Sequence, residues 1–367
     1  MVGSAPTPLR GRFAVGTAVA APGERAFGYV SVPLAHGEEV RVACWVIHGR
    51  AGRGQAPGTN PVLYVHATQH GNELSGIEVV RRVAQSVDPR RLRGTLIAVP
   101  IANPLAFQWR RHHYLQRPEE AYQARPELDL DHCWPGQPNG THVERLAYAL
   151  WEQAVRQATH VLDLHTWNRW QAAATTVRAW HAPSLALAKA FGLWVQARWQ
   201  PSPADNEPFG SLTGMAIRHD KAACAPNFTG QWDIFEPQVR RGVAGLRRVL
   251  RFLGLLPLAG PQRGADRRRR AVEPPVFSVE QLVDVTVAEA GIFLPRVRPE
   301  ARVRHGSVLG LLVRLDTFEM QPVQSPVDAL VYLIGAIGPG ADVALPPMMP
   351  VARAGGRVAR LLPLSCL

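Results

Sequence analysis

The residues best suited to chemistry lie in HATQHGNELSG (66–76), where His70 and Glu73 follow an apolar run. A catalytic zinc ion takes three protein ligands, commonly two histidines and a carboxylate, and keeps a fourth position open for water or substrate. His70 and Glu73 can supply two ligands from one strand-to-helix turn, and His165 can supply the third, with Asp163 nearby as a partner behind the ligands. The spacing alone leaves a second interpretation open, in which His70 and Glu73 only cap a helix.

The elements that must position these residues follow an α/β order. Continuous apolar runs predict buried strands, and 3.6-residue patterns predict helices between them. The predicted strands span 61–67, 95–104 and 160–166; the predicted helices span 74–86, 141–158 and a stretch that starts near Pro237. Because active sites in such sheets lie at the carboxyl ends of strands, His70, Asn103 and His165 are expected to converge at one edge. An antiparallel strand pair is predicted within 30–50, around a turn at 36–38.

Composition narrows the class of protein. With 367 residues and 46% hydrophobic content, the chain can bury a large core, and its length allows a second domain. The net charge of +12 comes almost wholly from arginine. A nucleic-acid-binding module would gather its basic residues on one face, whereas here they are scattered apart from clusters at 240–251 and 266–270. We therefore expect no nucleic-acid partner.

The four cysteines lie far apart and form no CxxC pair, so the sequence predicts neither a zinc ribbon nor a disulfide framework. The first residues have no apolar segment long enough for a signal peptide, and no apolar run approaches the roughly 18 residues of a membrane span. A cytoplasmic protein without a membrane partner is expected.

Several motifs, in order, resemble those of one enzyme family. The chain is similar to the succinylglutamate desuccinylase/aspartoacylase family, relatives of the zinc carboxypeptidases, over residues 25–360. The matching segments are HGNE (70–73), ANP (102–104), DLDHCWPG (129–136), GTHVERLAYALWE (140–152) and VLDLHT (161–166). The resemblance implies zinc bound by His70, Glu73 and His165. It also implies a zinc carboxypeptidase-like fold, with a mixed, mostly parallel sheet flanked by helices.

A change of composition after Pro257 divides the chain. It predicts a catalytic domain at 1–257, a polar linker at 258–275 and a small all-β domain at 276–367, where glycine and proline break short β-type runs. That last segment resembles the family's C-terminal β domain, itself reminiscent of a biotinyl or lipoyl carrier. It contains no lysine to carry such a group. We expect it to shape the cleft, cover it, or pair subunits in a homo-oligomer.

Two departures from the family concern substrate binding. Relatives place an asparagine and an arginine where this chain has Asp131 and His132, and the guanidinium grips a substrate carboxylate. Asp131 would repel such a carboxylate, so a cationic or neutral group is expected, unless an arginine pairs with Asp131. The family arginine that polarises the scissile carbonyl aligns best with His112, and Arg110 or Arg111 can replace it after a small loop shift.

A third departure concerns the proton acceptor. Relatives carry a glutamate in a TxE segment, whereas residues 229–231 read TGQ, and Gln231 cannot act as a general base. Asp233 and Glu236 are close enough in sequence to substitute. From the opposite side the candidates are the histidines His112, His113 and His132.

Three functions remain open from the sequence. The first is a zinc-dependent hydrolase that deacylates a small amide substrate, with a rearranged base and an altered carboxylate clamp. The second is a zinc-binding family member that no longer hydrolyses and binds a small molecule or a protein. The third is a zinc-assisted acyl transferase, in which Gln231 would suppress hydrolysis.

Overall fold

The computed structural model describes residues 11–34, 37–50, 60–117, 125–202, 205, 209–258, 273–337 and 351–367. The strands are β1 Phe13–Val15, β2 Ala18–Ala20, β3 Glu24–Pro33, β4 Glu39–His48, β5 Val62–Ala67, β6 Thr95–Val99, β7 His160–Trp167, β8 Ala174–Arg178, β9 Trp194–Arg198, β10 Ala222–Thr229, β11 Val276–Phe277, β12 Val283–Thr286, β13 Gly291–Pro295, β14 Arg302–Val303, β15 Val308–Arg314, β16 Met320–Gln324, β17 Ala329–Ile337, β18 Val351–Ala352 and β19 Arg357–Pro363. The helices are α1 Ser75–Ser86, α2 Pro104–Trp109, α3 His142–Gln153, α4 Ala182–Phe191, α5 Leu212–Arg218 and α6 Glu236–Phe252. Among the described residues, no helix is long and apolar enough to cross a membrane.

Nine strands form one large mixed sheet in the order β11-β9-β8-β10-β7-β5-β6-β4-β3. The pairs β11/β9, β9/β8, β10/β7, β7/β5 and β5/β6 are parallel, and the other three pairs are antiparallel. One apolar core contains residues of α3 and α5, and a second contains residues of α1, α4 and α6. The mixed, mostly parallel sheet flanked by helices confirms the predicted fold class.

Strand register brings the ends of three central strands together. β5 pairs with β7 so that Ala67 lies opposite Leu164, and β10 pairs with β7 so that Asn227 lies opposite His165. The last five of the six residues of β5 are buried, as expected for a strand covered on both faces. The loop after β5 therefore begins beside the end of β7, in the position that active sites occupy in α/β sheets.

Two predicted elements differ in extent from those observed. The strand predicted at 95–104 ends at Val99, because Asn103 caps α2 and Pro104 occupies its first turn, where the missing N–H is not needed. The helix predicted at 141–158 ends at Gln153 and continues as a 3-10 turn. The Nζ of Lys221 binds carbonyls of that turn and of Ala158, which holds this tighter geometry in place. The predicted capping box of α3 is present.

The C-terminal strands form two four-stranded sheets, β12-β19-β17-β14 and β16-β15-β13-β18, around a shared apolar core. This confirms the predicted all-β character of the region. The short strand β11 pairs with β9 and so extends the large sheet. Most of the predicted linker, residues 259–272, lies outside the described residues, as do His36 in the predicted turn and the arginine cluster at 266–270.

Candidate metal centre and active site

The loop that follows β5 is shaped by its own backbone contacts. Thr68 adopts a left-handed conformation (φ 58°), and its Oγ1 donates to the backbone carbonyl of Glu73 at 3.0 Å. Gly71 donates its N–H to the carbonyl of His112 at 3.1 Å. A Cβ at position 71 would meet the backbone carbonyl of Ala106, so this close approach requires glycine. The loop therefore presents the side chains of residues 70 and 73 in a fixed arrangement.

The three predicted ligands meet at one point. Glu73 lies between two imidazoles, with Oε1 3.1 Å from Nδ1 of His70 and Oε2 3.0 Å from Nδ1 of His165. All three side chains are buried, and one donor atom from each lies within 4.8 Å of the others. The N–H of Thr166 also donates to Oε2 at 2.9 Å, which fixes the carboxylate. Two histidines and a carboxylate match the donor set of catalytic zinc.

The opposite ring nitrogens are held by two further carboxylates. Nε2 of His70 lies 3.0 Å from Asp129, and Nε2 of His165 lies 3.0 Å from Asp163. The second carboxylate oxygen of Asp163 lies 2.7 Å from His66. Metal-binding histidines almost always donate their remaining N–H to such a partner, which fixes the tautomer. In that tautomer both Nδ1 lone pairs face the Glu73 carboxylate, and acceptors arranged in this way need a cation between them. The residues therefore fit a bound metal ion.

The pKa shifts show the same preference for positive charge. Burial lowers the pKa of His70, but the charges of Asp129 and Glu73 outweigh it and raise the value to about 10. Burial likewise lowers the pKa of His165, and Asp163 and Glu73 raise it well above its ordinary value. Burial raises the pKa of Glu73, and the two histidines lower it to a greater extent. The carboxylates thus stabilise positive charge at the point where the Nδ1 atoms meet.

The helix-capping interpretation of the loop does not fit the structure. The N-cap of α1 is Leu74, which makes no side-chain cap bond. The carboxylate of Glu73 binds the two imidazoles and Thr166, and the ring of His70 lies between two carboxylates. Neither side chain is available to the helix end, so the structure does not support the capping interpretation.

Asp131 lies beside this centre and is held by a glutamine. Nε2 of Gln69 donates to Asp131 at 2.9 Å and lies 3.4 Å from Asp163, while Oε1 of Gln69 accepts from the indole of Trp134 at 2.6 Å. Within the described part of the chain, no arginine pairs with Asp131. Burial raises the pKa of Asp131, the charge of His165 lowers it, and Asp163 and Asp129 raise it again. The alternative of a compensating arginine is therefore not realised among these residues.

His112 lies on the other side of the centre. Its ring stacks on that of His70, with centroids 3.8 Å apart and planes 14° apart, and its Nδ1 lies 3.3 Å from the Asn72 side chain. Burial, followed by the charge of His70, lowers the pKa of His112 to about 3. Arg110 is exposed and caps α2 in a left-handed conformation, and Arg111 is partly buried. The ring that occupies this position is therefore neutral and touches the ring of His70, a predicted ligand.

Other predicted site residues contact the centre less directly. The Asn103 amide is fully buried, accepts from Ala106 and donates to the Gln69 carbonyl, so it holds the ligand loop against α2. His132 is half-exposed, with Nε2 4.0 Å from Asp129. His113 is buried outside the ligand cluster, and its Nε2 has no partner among the described residues.

The family position of the proton acceptor, Gln231, and its two possible replacements, Asp233 and Glu236, lie along the segment after β10. Gln231 is partly buried, and its N–H donates to the carbonyl of Trp167 at 3.0 Å, two residues after the ligand His165. Asp233 is exposed. Glu236 is also exposed and forms a two-pronged ion pair with Arg82, at 2.9 and 2.8 Å. The backbone of Gln231 is thus bonded beside the end of β7, whereas Glu236 is engaged at the surface.

The sequence pattern did not identify several residues that shape the site. Gln69, Trp134 and His66 are fully buried and connect the carboxylates behind the ligands. Asn72 is also buried, and its Nδ2 has no hydrogen-bond partner among the described residues. Polar side chains within or beside apolar strands are a usable signal, because buried polar groups are nearly always hydrogen-bonded.

The fold is shared with several solved structures. The chain is similar to an aspartoacylase family protein from Mesorhizobium loti, with 22% identity and a TM-score of 0.65 over 94% of this chain and 96% of that one. It is similar to a succinylglutamate desuccinylase/aspartoacylase from Rhodobacter sphaeroides, with 20% identity and a TM-score of 0.64 over 92% of this chain and 94% of that one. It is also similar to the product-bound ectoine utilization protein EutE from Ruegeria pomeroyi, with 18% identity and a TM-score of 0.65 over 92% of this chain and 94% of that one. At these identities the likeness concerns the fold.

No curated protein sequence matches the chain at a significant level. The family sequence model of the succinylglutamate desuccinylase/aspartoacylase catalytic domain matches residues 59–253, which is more than half of the chain. This segment contains β5, β7 and β10 and every residue described above at the centre. The chain belongs to the succinylglutamate desuccinylase/aspartoacylase family.

Proposed function

We propose that this protein is a zinc-dependent amide hydrolase that removes the acyl group from a small N-acylated amino acid or a related amide. The observation that carries the proposal is the ligand geometry. Two imidazoles, from His70 and His165, turn Nδ1 towards Glu73, and carboxylates hold their Nε2 atoms. Membership of a deacylase family supports the same reaction class.

The chain's own residues supply positioning and proton transfer. A bound zinc ion would polarise the amide carbonyl and lower the pKa of water. Asp129 and Asp163 keep the ligand rings in one tautomer and orientation, which keeps the Nδ1 lone pairs directed at one point. Asn103 fixes the loop that carries His70. Each of these contacts is made before substrate arrives, so little reorganisation accompanies the reaction.

We assign the proton transfer to His112, whose neutral ring can take up a proton. Burial and the charge of His70 keep the pKa of this ring low, so it passes the proton on readily. The carboxamide of Gln231 is not basic, the Glu236 carboxylate is engaged by Arg82, and Asp233 is exposed. The His112 ring is in contact with the ligand His70. Loss of a positioned base typically costs about 10² to 10⁴ in rate, so the variant His112→Phe should lose activity by that amount while zinc content is unchanged.

The first experiment measures zinc and turnover together. Purified protein should contain about one zinc per chain by elemental mass spectrometry, as expected for a three-ligand site. The variant His165→Ala should lose both zinc and hydrolysis of a panel of N-acyl amino acids and amides. His305→Ala, at an exposed position of the C-terminal region, is the matched control and should retain both. Full zinc content in His165→Ala would contradict the ligand assignment.

One observation favours a second function, a family member that binds zinc and a small molecule without hydrolysis. Gln231 lies two residues after the end of β10, at the position where relatives are expected to have the proton-accepting glutamate. If the change is a loss, Gln231→Glu in zinc-loaded protein should create or raise deacylase activity. If the wild-type protein is active and the Gln231→Glu variant is no faster, this second function is ruled out.

The expected partner is a small-molecule substrate, and the proposed location is the cytoplasm. The four cysteines are free, which suits a reducing compartment. Activity recovered from the soluble, reducing fraction of cells that express the protein would support this location. Activity found only outside the cell would contradict it.

A further inference from the structure

We propose that the substrate carries an ammonium group close to its amide and that Asp131 binds this group. The inference rests on the proposed amide hydrolysis and assigns its substrate class. It starts from a contrast among the four carboxylates at the centre, those of Glu73, Asp129, Asp131 and Asp163. Three of them face histidine nitrogens at 2.7 to 3.1 Å.

Asp131 is the carboxylate without a basic hydrogen-bond partner. Its Oδ1 accepts from Gln69 at 2.9 Å, and within the described part of the chain its Oδ2 accepts no hydrogen bond. The side chain of Gln69 is itself held in place, because the indole of Trp134 donates to the oxygen of the same amide. The carboxylate is thus held rigidly but has an oxygen left for a ligand. An ammonium group supplies the donors that such an oxygen needs.

The total charge of the pocket favours the same ligand. Four carboxylates exceed the charge of one divalent ion when the histidines are neutral. An anionic group beside Asp131, which is itself partly buried, would meet further negative charge where screening by solvent is weak. A cationic group would neutralise it. Neither Arg110 nor Arg111 is paired with Asp131, so no described side chain already fills this role.

A second metal ion is the competing cation, because Asp131, Asp163 and His165 have donor atoms within 4.8 Å of one another. Two of these donors are already engaged. Asp163 binds His66 through one oxygen and His165 through the other, and the Nε2 of His165 is directed at Asp163. Asp131 alone remains, whereas a metal ion requires several protein ligands. An ammonium group binds well to one carboxylate.

The distances also limit the spacing within the substrate. An oxygen of Asp131 lies within 4.8 Å of a nitrogen of the ligand His165. Asp131 therefore lies beside the ring of His165, and we expect an amide that reacts at the metal position to have its ammonium group a few bonds away. N-Acetylethylenediamine is a small probe with these properties. Its uncharged and anionic analogues of similar length are N-propylacetamide and N-acetyl-β-alanine.

The test measures binding and turnover of these three probes with zinc-loaded protein, by titration calorimetry and by amine release. We expect wild type to prefer the cationic probe over the uncharged one, and to bind the anionic probe most weakly. Asp131→Asn keeps an oxygen that accepts from Gln69 but removes the charge. The preference for the cationic over the uncharged probe should fall by about tenfold to a hundredfold, as for a hydrogen bond to a charged group.

The matched control is Glu127→Gln, which removes a charge from an exposed side chain on the neighbouring turn. It should keep the wild-type preference. Stronger binding of the anionic probe, equal binding of all three, binding of none, or an unchanged preference in Asp131→Asn would overturn the inference. Two zinc ions per chain in wild type and one in Asp131→Asn would instead assign the position to a metal.

Failure of the proposed hydrolysis gives a different result. Binding selectivity for the cationic probe without amine release would leave the ammonium site standing and contradict the hydrolase. Amine release with preference for the anionic probe would do the reverse.

Discussion

At the level of single residues, Asp163 connects two histidines. Its two oxygens bind Nε2 of His66 and Nε2 of the ligand His165, and Nδ1 of His66 lies 3.1 Å from the hydroxyl of Tyr64. A chain of buried polar groups therefore runs from the metal centre into strand β5. Such partners raise the basicity of a ligand and fix its orientation. In the proposed zinc site, Asp163 is thus a positioning residue rather than a ligand.

Replacement of this carboxylate should weaken metal binding. In Asp163→Asn the amide can still contact one histidine but cannot accept from both. The zinc dissociation constant should rise by about 10- to 100-fold, the range found for such partners of metal ligands. Competition with a chromophoric chelator measures it. Asp284→Asn removes a carboxylate that pairs with surface arginines and is the control; equal affinities in the two variants would contradict the role of Asp163.

At the level of elements, the site depends on how closely the ligand loop approaches α2. Gly71 lies against the backbone of Ala106 and Arg111, and its N–H binds the carbonyl of His112. The same contact places the His112 ring on His70. Strand β5 and helix α2 therefore determine the ligand geometry together.

A side chain at position 71 should disturb both elements. Gly71→Ala places a Cβ against backbone atoms that cannot rotate away, and overpacking of this kind costs about 1 to 3 kcal/mol. We expect a lower urea midpoint and weaker zinc binding. Gly306→Ala, whose Cβ would enter open space, carries only the strain of its left-handed φ of 78° and should bind zinc as wild type does. Normal zinc affinity in Gly71→Ala would show that the loop tolerates displacement.

At the level of the whole molecule, Tyr332 joins the C-terminal sheets to the large sheet. Its buried hydroxyl donates to Gln196 at 2.7 Å and accepts from Gln171 at 2.9 Å, and its backbone carbonyl accepts from Ala172. These contacts hold the segment that follows the ligand strand β7. The C-terminal sheets therefore support the segment that leads away from His165.

Removal of this hydroxyl should loosen the connection. Tyr332→Phe leaves two glutamine side chains without a partner, and an unsatisfied buried polar group costs about 1 to 3 kcal/mol. The free energy of unfolding in urea should fall by that amount, with zinc content unchanged. Tyr29→Phe, at an exposed strand position, should have no effect. Equal stability of the two variants would show that the hydroxyl contacts contribute little.

The sequence by itself determined the fold class and the ligand candidates. Apolar runs of strand length, separated by helical patterns, sufficed for β5, β7 and α3, because burial dictates residue type at nearly every position of such elements. The capping box of Thr141 and Glu144 was readable because both partners lie within one turn. His70 and Glu73 are likewise close in sequence. Local spacing carries these features.

Only the tertiary structure decided how the side chains pair. Sequence spacing did not indicate that Asp129 holds His70, since 59 positions separate them, nor that Glu236 binds Arg82, which is 154 positions away. Gln69 joins Asp131 to Asp163 for the same reason: the register of β5 against β7 and the turn before Trp134 bring them together. Contacts between distant residues depend on strand order and register, which are properties of the folded chain.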